Sequence, residues 1–73
     1  MHTEADRETA SLHVAAGEAR VARQIEIVAE MRAKGLPTAQ AIRVLEAMEV
    51  SLDAMRRHLG EIERDRAAGQ SSD

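Results

Sequence analysis

The clearest pattern in the chain is a row of apolar residues in its second half. Successive members are alternately four and three residues apart, which is the heptad spacing of a helix that packs along one edge against another helix. The row consists of Ala41, Leu45, Met48, Leu52, Met55, Leu59 and Ile62. This spacing predicts one uninterrupted helix over about residues 38–66, with a single apolar seam.

The first half of the chain has a weaker row with the same spacing. Its members are Ser11, Val14, Glu18, Val21, Ile25, Val28 and Arg32. Beside it lies a second row, the alanine stripe, which we define as Ala15, Ala19, Ala22, Ala29 and Ala33, interrupted by Glu26. The two rows predict a helix over about residues 4–34. Its face of small apolar side chains is wider than one neighbouring helix can cover.

The segment "KGLPT", residues 34–38, separates the two helices. Gly35 suits the left-handed conformation that commonly follows the last residue of a helix. Pro37 cannot continue the first helix, and either Thr38 as N-cap or Pro37 in the first turn begins the second. We therefore predict a hinge at residues 35–37, formed by Gly35, Pro37 and the adjoining Thr38.

The remaining boundaries follow from capping and composition. Thr3 and Asp6 have the spacing of a capping box, in which each side chain accepts a hydrogen bond from the other residue's backbone. We predict a flexible N-terminus at residues 1–3, one helical domain at 4–66, and a flexible tail at 67–73, "AAGQSSD".

A connection this short places the two helices antiparallel, so the expected fold is an all-α two-helix hairpin. A single layer of two helices exposes both sides of its seam to water. For that reason we expect two hairpins to associate into a homodimeric four-helix bundle. The interface residues that we expect are Val14, Val21, Ile25, Val28, Leu45, Met48, Leu52, Met55, Leu59 and Ile62.

A competing interpretation concerns "EVSLDAMRRHL", residues 49–59, which resembles the turn and recognition helix of DNA-binding regulators. That fold requires a break near residues 49–51, where the motif has a glycine and this chain has Glu49. Leu45 also stands where the motif has a small residue. Because the apolar row passes through this segment without interruption, we favour a continuous helix.

Composition narrows the classes of function. The 73 residues contain no cysteine and no Phe, Trp or Tyr, so disulfides, thiolate metal sites and aromatic platforms for bases are absent. The net charge is −3, with acidic and basic residues interspersed, which argues against a surface for nucleic acid. No apolar run is long enough to span a membrane, and we expect a soluble cytoplasmic protein.

Two histidines are the only candidates for a metal site. In an antiparallel hairpin, facing residue numbers sum to roughly 72, which places His13 level with His58 near the open end. Neither belongs to the Glu-x-x-His or His-x-x-x-His pairs that usually supply helical metal ligands. We therefore predict no metal and no cofactor, and keep a metal-binding bundle as an alternative.

Three further residues raise questions of packing. Glu18 falls on the apolar row of the first helix, where it needs solvent or a cation, and Arg57 or Arg20 are the candidates. Such a residue more often fixes helix register than performs chemistry. Gly17 and Gly60 either permit close helix approach or mark where each helix loosens.

No nucleophile with its base, phosphate-binding loop or carboxylate pair is visible, so we expect no enzymatic activity. We expect instead a small interaction or scaffold module that acts through homodimerisation and contact with a further protein. The first alternative is a nucleic-acid-binding regulator, either helix-turn-helix-like or a helical-hairpin RNA binder that uses Arg56 and Arg57, and the metal-binding bundle is the second.

Residues 13–63 resemble a group of short bacterial helical-hairpin proteins that have no known activity. The matching positions are His13, Gly17, Glu18, Ala22, Arg23, Gln24, Gly35, Thr38, Val44, Leu45, Ser51, Leu52 and His58. An aromatic residue often precedes the Ser-Leu pair in that group, where this chain has Met48. The resemblance implies a hairpin rather than a helix-turn-helix, and it implies no chemistry.

Overall fold

The computed structural model describes residues 3–71, without the side chains of Gln70 and Ser71, and its regular secondary structure over that range is all helical. Helix α1 spans Glu4–Ala33 and helix α2 spans Ala39–Ser71. The predicted fold class is confirmed to this extent: there are two helices, and no strand lies in the described range. His2 and the last two residues of the predicted tail lie outside it.

The start of α1 is the predicted capping box. The Thr3 hydroxyl oxygen accepts a hydrogen bond from the Asp6 backbone N–H at 3.1 Å, and the Asp6 carboxylate accepts one from the Thr3 N–H at 3.0 Å. Both bonds satisfy backbone donors that have no partner within the helix. The first turn also carries Glu4 and Asp6, whose negative charges favour the N-terminal end of the helix dipole.

The end of α1 depends on glycine. Gly35 has a φ of 70°, in the left-handed region that other residues rarely enter. Its N–H donates to the Arg32 carbonyl at 3.0 Å, and the Leu36 N–H donates to the Met31 carbonyl at 2.9 Å. This pair of bonds is the Schellman motif, which ends a helix and reverses the chain. The prediction of a left-handed Gly35 is confirmed.

Thr38 rather than Pro37 begins the second helix, because the Thr38 carbonyl accepts the N–H of Ile42 at 2.9 Å and Pro37 lies outside the helix. Helix α2 is unbroken through residues 49–59, so the break required by a helix-turn-helix is absent. It also continues to Ser71, past the expected end near residue 66. Ala67 and Ala68, both strong helix formers, extend it.

The helices pack side by side in opposite directions. Contacts between them join Glu4 to Arg66 near the open end, Glu18 to Arg56 further along, and Gln24 to Ala41 near the hinge. The result is a narrow rod with dimensions of 61 × 15 × 13 Å. Each helix has one neighbour, so most of its circumference faces water.

The predicted seam of α2 is confirmed. Leu52 and Ile62 are buried, with 4% and 1% of their surface exposed. The other members, Ala41, Leu45, Met48, Met55 and Leu59, are half-buried. A run of alternating four- and three-residue steps therefore identified the side of α2 that packs on α1.

The predicted seam of α1 is half wrong. Val14, Val21 and Val28 do face α2, but the positions between them are one residue earlier than expected. The observed seam is Ala10, Val14, Gly17, Val21, Gln24, Val28 and Met31, all buried or half-buried. The residues that α1 turns toward α2 at these positions are Ala10, Gly17, Gln24 and Met31, in place of Ser11, Glu18, Ile25 and Arg32. Ile25 consequently points outward and is 52% exposed.

The core between the helices is thin. The buried apolar side chains within residues 3–71 are Ala10, Val14, Val28, Leu52 and Ile62. Ile27 and Ile42, which belong to neither seam, are half-buried along the edges of this core. Leu12 and Val50 are 69% and 70% exposed.

Candidate interaction surface and histidine pair

Gly17 allows the two helices to approach closely. A β-carbon built on Gly17 would lie 3.0 Å from Leu52 Cδ1 and 3.4 Å from Met55 Cε. Gly60 is different, because the nearest neighbouring atom to such a carbon there is the mobile end of Arg64, at 3.5 Å. Of the two explanations left open by the sequence, close approach therefore holds at Gly17 and has no support at Gly60.

Gln24 is a polar residue in the seam. It is 9% exposed, and its side-chain amide donates a hydrogen bond of 2.9 Å to the backbone carbonyl of Ala41. No packing role was expected for Gln24, because a glutamine breaks an apolar pattern. The bond connects a side chain of α1 to the backbone of α2, so it favours one alignment of the two helices.

Glu18 does not lie on an apolar surface. Its side chain is 54% exposed and meets Arg56 Nη2 at 3.4 Å, whereas Arg57 and Arg20 were the expected partners. The correction follows from the shifted seam, because Gly17 faces α2 and turns Glu18 toward the edge. An exposed ion pair of this kind stabilises the hairpin little.

Other arginines are also paired along the surface. Arg23 Nη1 lies 3.1 Å from the Glu26 carboxylate and 3.7 Å from that of Glu30. Arg56 Nη1 lies 3.6 Å from Asp53, in addition to its contact with Glu18. These bonds neutralise part of the positive charge that a nucleic-acid surface would need.

The open end of the rod has its own group of charges. Arg7 donates a hydrogen bond of 3.0 Å to Glu4, and Arg66 of α2 pairs with the same carboxylate. The Arg7 hydrogen bond lowers the pKa of Glu4; desolvation opposes the shift and the charge of Arg66 adds to it. The same contact raises the pKa of Arg7. The stabilisation from a lowered carboxylate pKa is present at neutral pH and is lost as the pH falls through that pKa.

The outward side of α1 is apolar and consists mainly of small side chains. Every member of the alanine stripe is exposed, and Leu12 lies in the same row while Ile25 lies beside it. Nothing in the described part of the chain covers this surface. Of the residues expected to form an interface, Ile25 is the one that faces outward, and the others are buried or half-buried within the hairpin.

The hairpin brings His13 and His58 together, as the sequence predicted. The two imidazoles line the same two adjoining grooves on one edge of the rod, and both residues are exposed. Asp6 and Thr9 line the groove nearer the open end. Ser51 and Met55 line the other groove.

The described residues include neither a metal-binding cluster nor a membrane-spanning helix. In residues 3–71, no three histidine, aspartate or glutamate side chains are grouped so that they could hold a metal ion. Neither helix, over the same range, is long and apolar enough to cross a membrane.

No protein family, curated protein or solved structure matches the chain. The arguments about function therefore depend on the hairpin itself.

Proposed function

We propose that the chain is a non-catalytic helical interaction module that works as a homodimer, in which two hairpins pack together through their α1 helices into a four-helix assembly. The observation that supports this is the amount of apolar surface that one hairpin leaves outside. Leu12 and Ile25 are both more than half exposed, although each is a residue type that is usually buried.

The surface area supports association. The chain exposes 5394 Å² for a mass of 8.0 kDa. A compact monomer of this mass would expose about 4,450 Å² by the usual scaling of area with mass. The excess, roughly 900 Å², is close to the ~800 Å² that each partner contributes to a standard protein interface. A second hairpin would cover the excess that one hairpin leaves.

The alanine stripe, with Leu12 and Ile25, is the surface that we assign to the contact between copies. Small side chains let the backbones of two helices approach closely, and the larger Leu12 and Ile25 supply apolar area at the edges. Glu26, which interrupts the stripe, pairs with Arg23, and Arg23 also pairs with Glu30, so the charges on this surface are partly neutralised. In this arrangement the α1 helices meet and the α2 helices lie on the outside.

Sedimentation equilibrium over a range of protein concentrations tests the proposal. We expect the mass to rise from that of one chain, 8.0 kDa, toward twice that value as concentration increases. The thermal midpoint should rise with it, because association links stability to concentration. A mass of one chain at every concentration, together with a cooperative melt, would contradict the proposal.

Paired lysine substitutions locate the contact. Ile25→Lys should weaken association, because it places a charge in the apolar interface. Val50→Lys is the matched control, since Val50 is also exposed but lies on the far side of α2, two residues from buried Leu52. The proposed contact would be wrong if Val50→Lys dissociated the dimer and Ile25→Lys did not.

Nucleic-acid binding is the main competing function. The unbroken α2 removes the helix-turn-helix form of it, and Arg56 is engaged by Glu18 and Asp53. Fluorescence anisotropy with labelled duplex DNA and single-stranded RNA at low salt would decide the matter. We expect no binding. Binding that falls when Arg56 and Arg57 are changed to glutamine would favour the competing function.

A further inference from the structure

The edge of the hairpin that carries His13 and His58 is separate from the alanine stripe. We infer that these two histidines bind a single divalent transition-metal ion, of the kind represented by Zn²⁺, Ni²⁺ or Cu²⁺, and thereby join α1 to α2. Imidazole nitrogens are preferred ligands of all three ions. The inference does not depend on whether the chain dimerises.

The geometry supports a shared site rather than two independent histidines. His13 lies on α1 and His58 on α2, and both line each of two adjoining grooves. Both are exposed, so an ion from solution reaches them without any opening of the hairpin. The buried side chains of Ala10 and Ile62 line one of these grooves together with both histidines, so the two histidines lie on a packed part of the rod.

The pair supplies two ligands from the protein, and water completes the coordination. No third histidine, aspartate or glutamate in the described range joins the two imidazoles as a ready ligand. Such a site differs from a closed structural zinc site, which has four protein ligands. We therefore expect reversible binding that adds stability to a hairpin already folded without metal.

Bridging has a consequence that a single surface histidine does not share. An ion held by residues on both helices binds the folded hairpin better than the unfolded chain, and so raises the thermal midpoint. An ion held by one exposed histidine binds both states alike and leaves the midpoint unchanged.

The test is thermal unfolding, followed by circular dichroism, of the untagged full chain with and without about 1 mM ZnCl₂ at about pH 7.5. Titration calorimetry with the same ion gives affinity and stoichiometry. We expect one ion per chain and a higher midpoint with zinc. The increase should disappear near pH 5, because a protonated imidazole cannot bind a metal.

Single substitutions separate this site from other binding. His13→Ala and His58→Ala should each reduce affinity about tenfold or more and abolish the increase in midpoint. The midpoint of each variant is first measured without metal, so that any effect of removing the side chain itself is separated from the loss of zinc binding. His2→Ala is the matched control, and we expect it to bind zinc as the unaltered chain does.

Three results would overturn the inference. The first is no change in midpoint with zinc. The second is an increase that survives either His13→Ala or His58→Ala, or that His2→Ala removes. The third is one ion per two chains, which would place the ligands between copies rather than within one hairpin.

Discussion

The two helices contribute differently to the same interface. The seam of α2 is built from long apolar side chains, among them Leu52 and Met55, whereas the facing seam of α1 includes Ala10, Gly17 and Gln24. Leu52 lies directly against Gly17, where there is no side chain to keep it away. Helix α2 therefore supplies most of the volume in the core, and α1 supplies the space that receives it.

The difference explains why the chain has so little buried surface and still forms two long helices. Small residues on α1 let the helices come close, which improves contact per residue but reduces the apolar area that each residue can bury. Helix α1 therefore carries small residues on two sides. One is the seam that packs against α2, and the other is the alanine stripe that faces outward.

The largest effect on stability is expected in the seam of α2, which carries the long apolar side chains. Leu52→Ala removes a side chain that is 4% exposed and should lower the free energy of unfolding by about 2–5 kcal/mol, through lost burial and the cavity that remains. Urea unfolding at a fixed protein concentration measures it. Val50→Ala, at a position 70% exposed, should change stability by less than about 0.5 kcal/mol. Equal losses in the two variants would show that Leu52 is not a core residue.

The next largest effect on stability is expected in the seam of α1, at the glycine that lies against Leu52. Gly17→Leu places a side chain where even a β-carbon would be 3.0 Å from Leu52, and should destabilise the hairpin by about 1–3 kcal/mol through overpacking. Gly60→Leu is the matched control, because only the end of Arg64 lies near its β-carbon position. We expect Gly60→Leu to be neutral or stabilising, since glycine is unfavourable inside a helix. The opposite order of stability would contradict the close approach at Gly17.

These residues also show how far the sequence could predict the fold. The ends of α1, the glycine that terminates it and the seam of α2 follow from capping rules and apolar spacing, which are local properties. The seam of α1 does not, because Gly17 has no side chain and Gln24 is polar, so neither adds to an apolar pattern. If Ile25 faces inward, Glu18 falls on the same face, because the two residues are seven positions apart.

The candidate sites divide in the same way. The pairing of His13 with His58 follows from the hairpin length, since residues at equal distance from the hinge meet. The partner of Glu18 could not be predicted, because it depends on which way the neighbouring Gly17 faces. The hydrogen bond from Gln24 to Ala41 joins residues far apart in the chain, and no local pattern indicates it.

A smaller effect is expected at Gln24. Gln24→Ala removes the hydrogen bond to the Ala41 carbonyl and should lower stability by about 0.5–1.5 kcal/mol, the usual net value of one hydrogen bond. Gln40→Ala is the control, because Gln40 is exposed at the start of α2. Both variants can be followed by urea unfolding. A loss no larger at Gln24 than at Gln40 would mean that the bond does not hold the helices in register.

The smallest effect is expected at Glu18 and Arg56. Both side chains are about half exposed, at 54% and 50%, so their coupling energy in a double-mutant cycle should be under about 1 kcal/mol. The cycle uses Glu18→Gln, Arg56→Gln and the double variant. A coupling of several kcal/mol would return Glu18 to the role of a buried residue that fixes register, and the shifted seam would then be wrong.

The most direct test of the central claim, that α1 faces α2 through Gly17 and Gln24 rather than through Glu18 and Ile25, is a set of proton–proton distances. Nuclear Overhauser spectroscopy on isotope-labelled protein would supply them. We predict strong cross-peaks between the α protons of Gly17 and the δ-methyl groups of Leu52, whose Cδ1 lies 3.0 Å from the β-carbon position of Gly17. Cross-peaks from those methyl groups to the Glu18 side chain, with none to Gly17, would contradict the account.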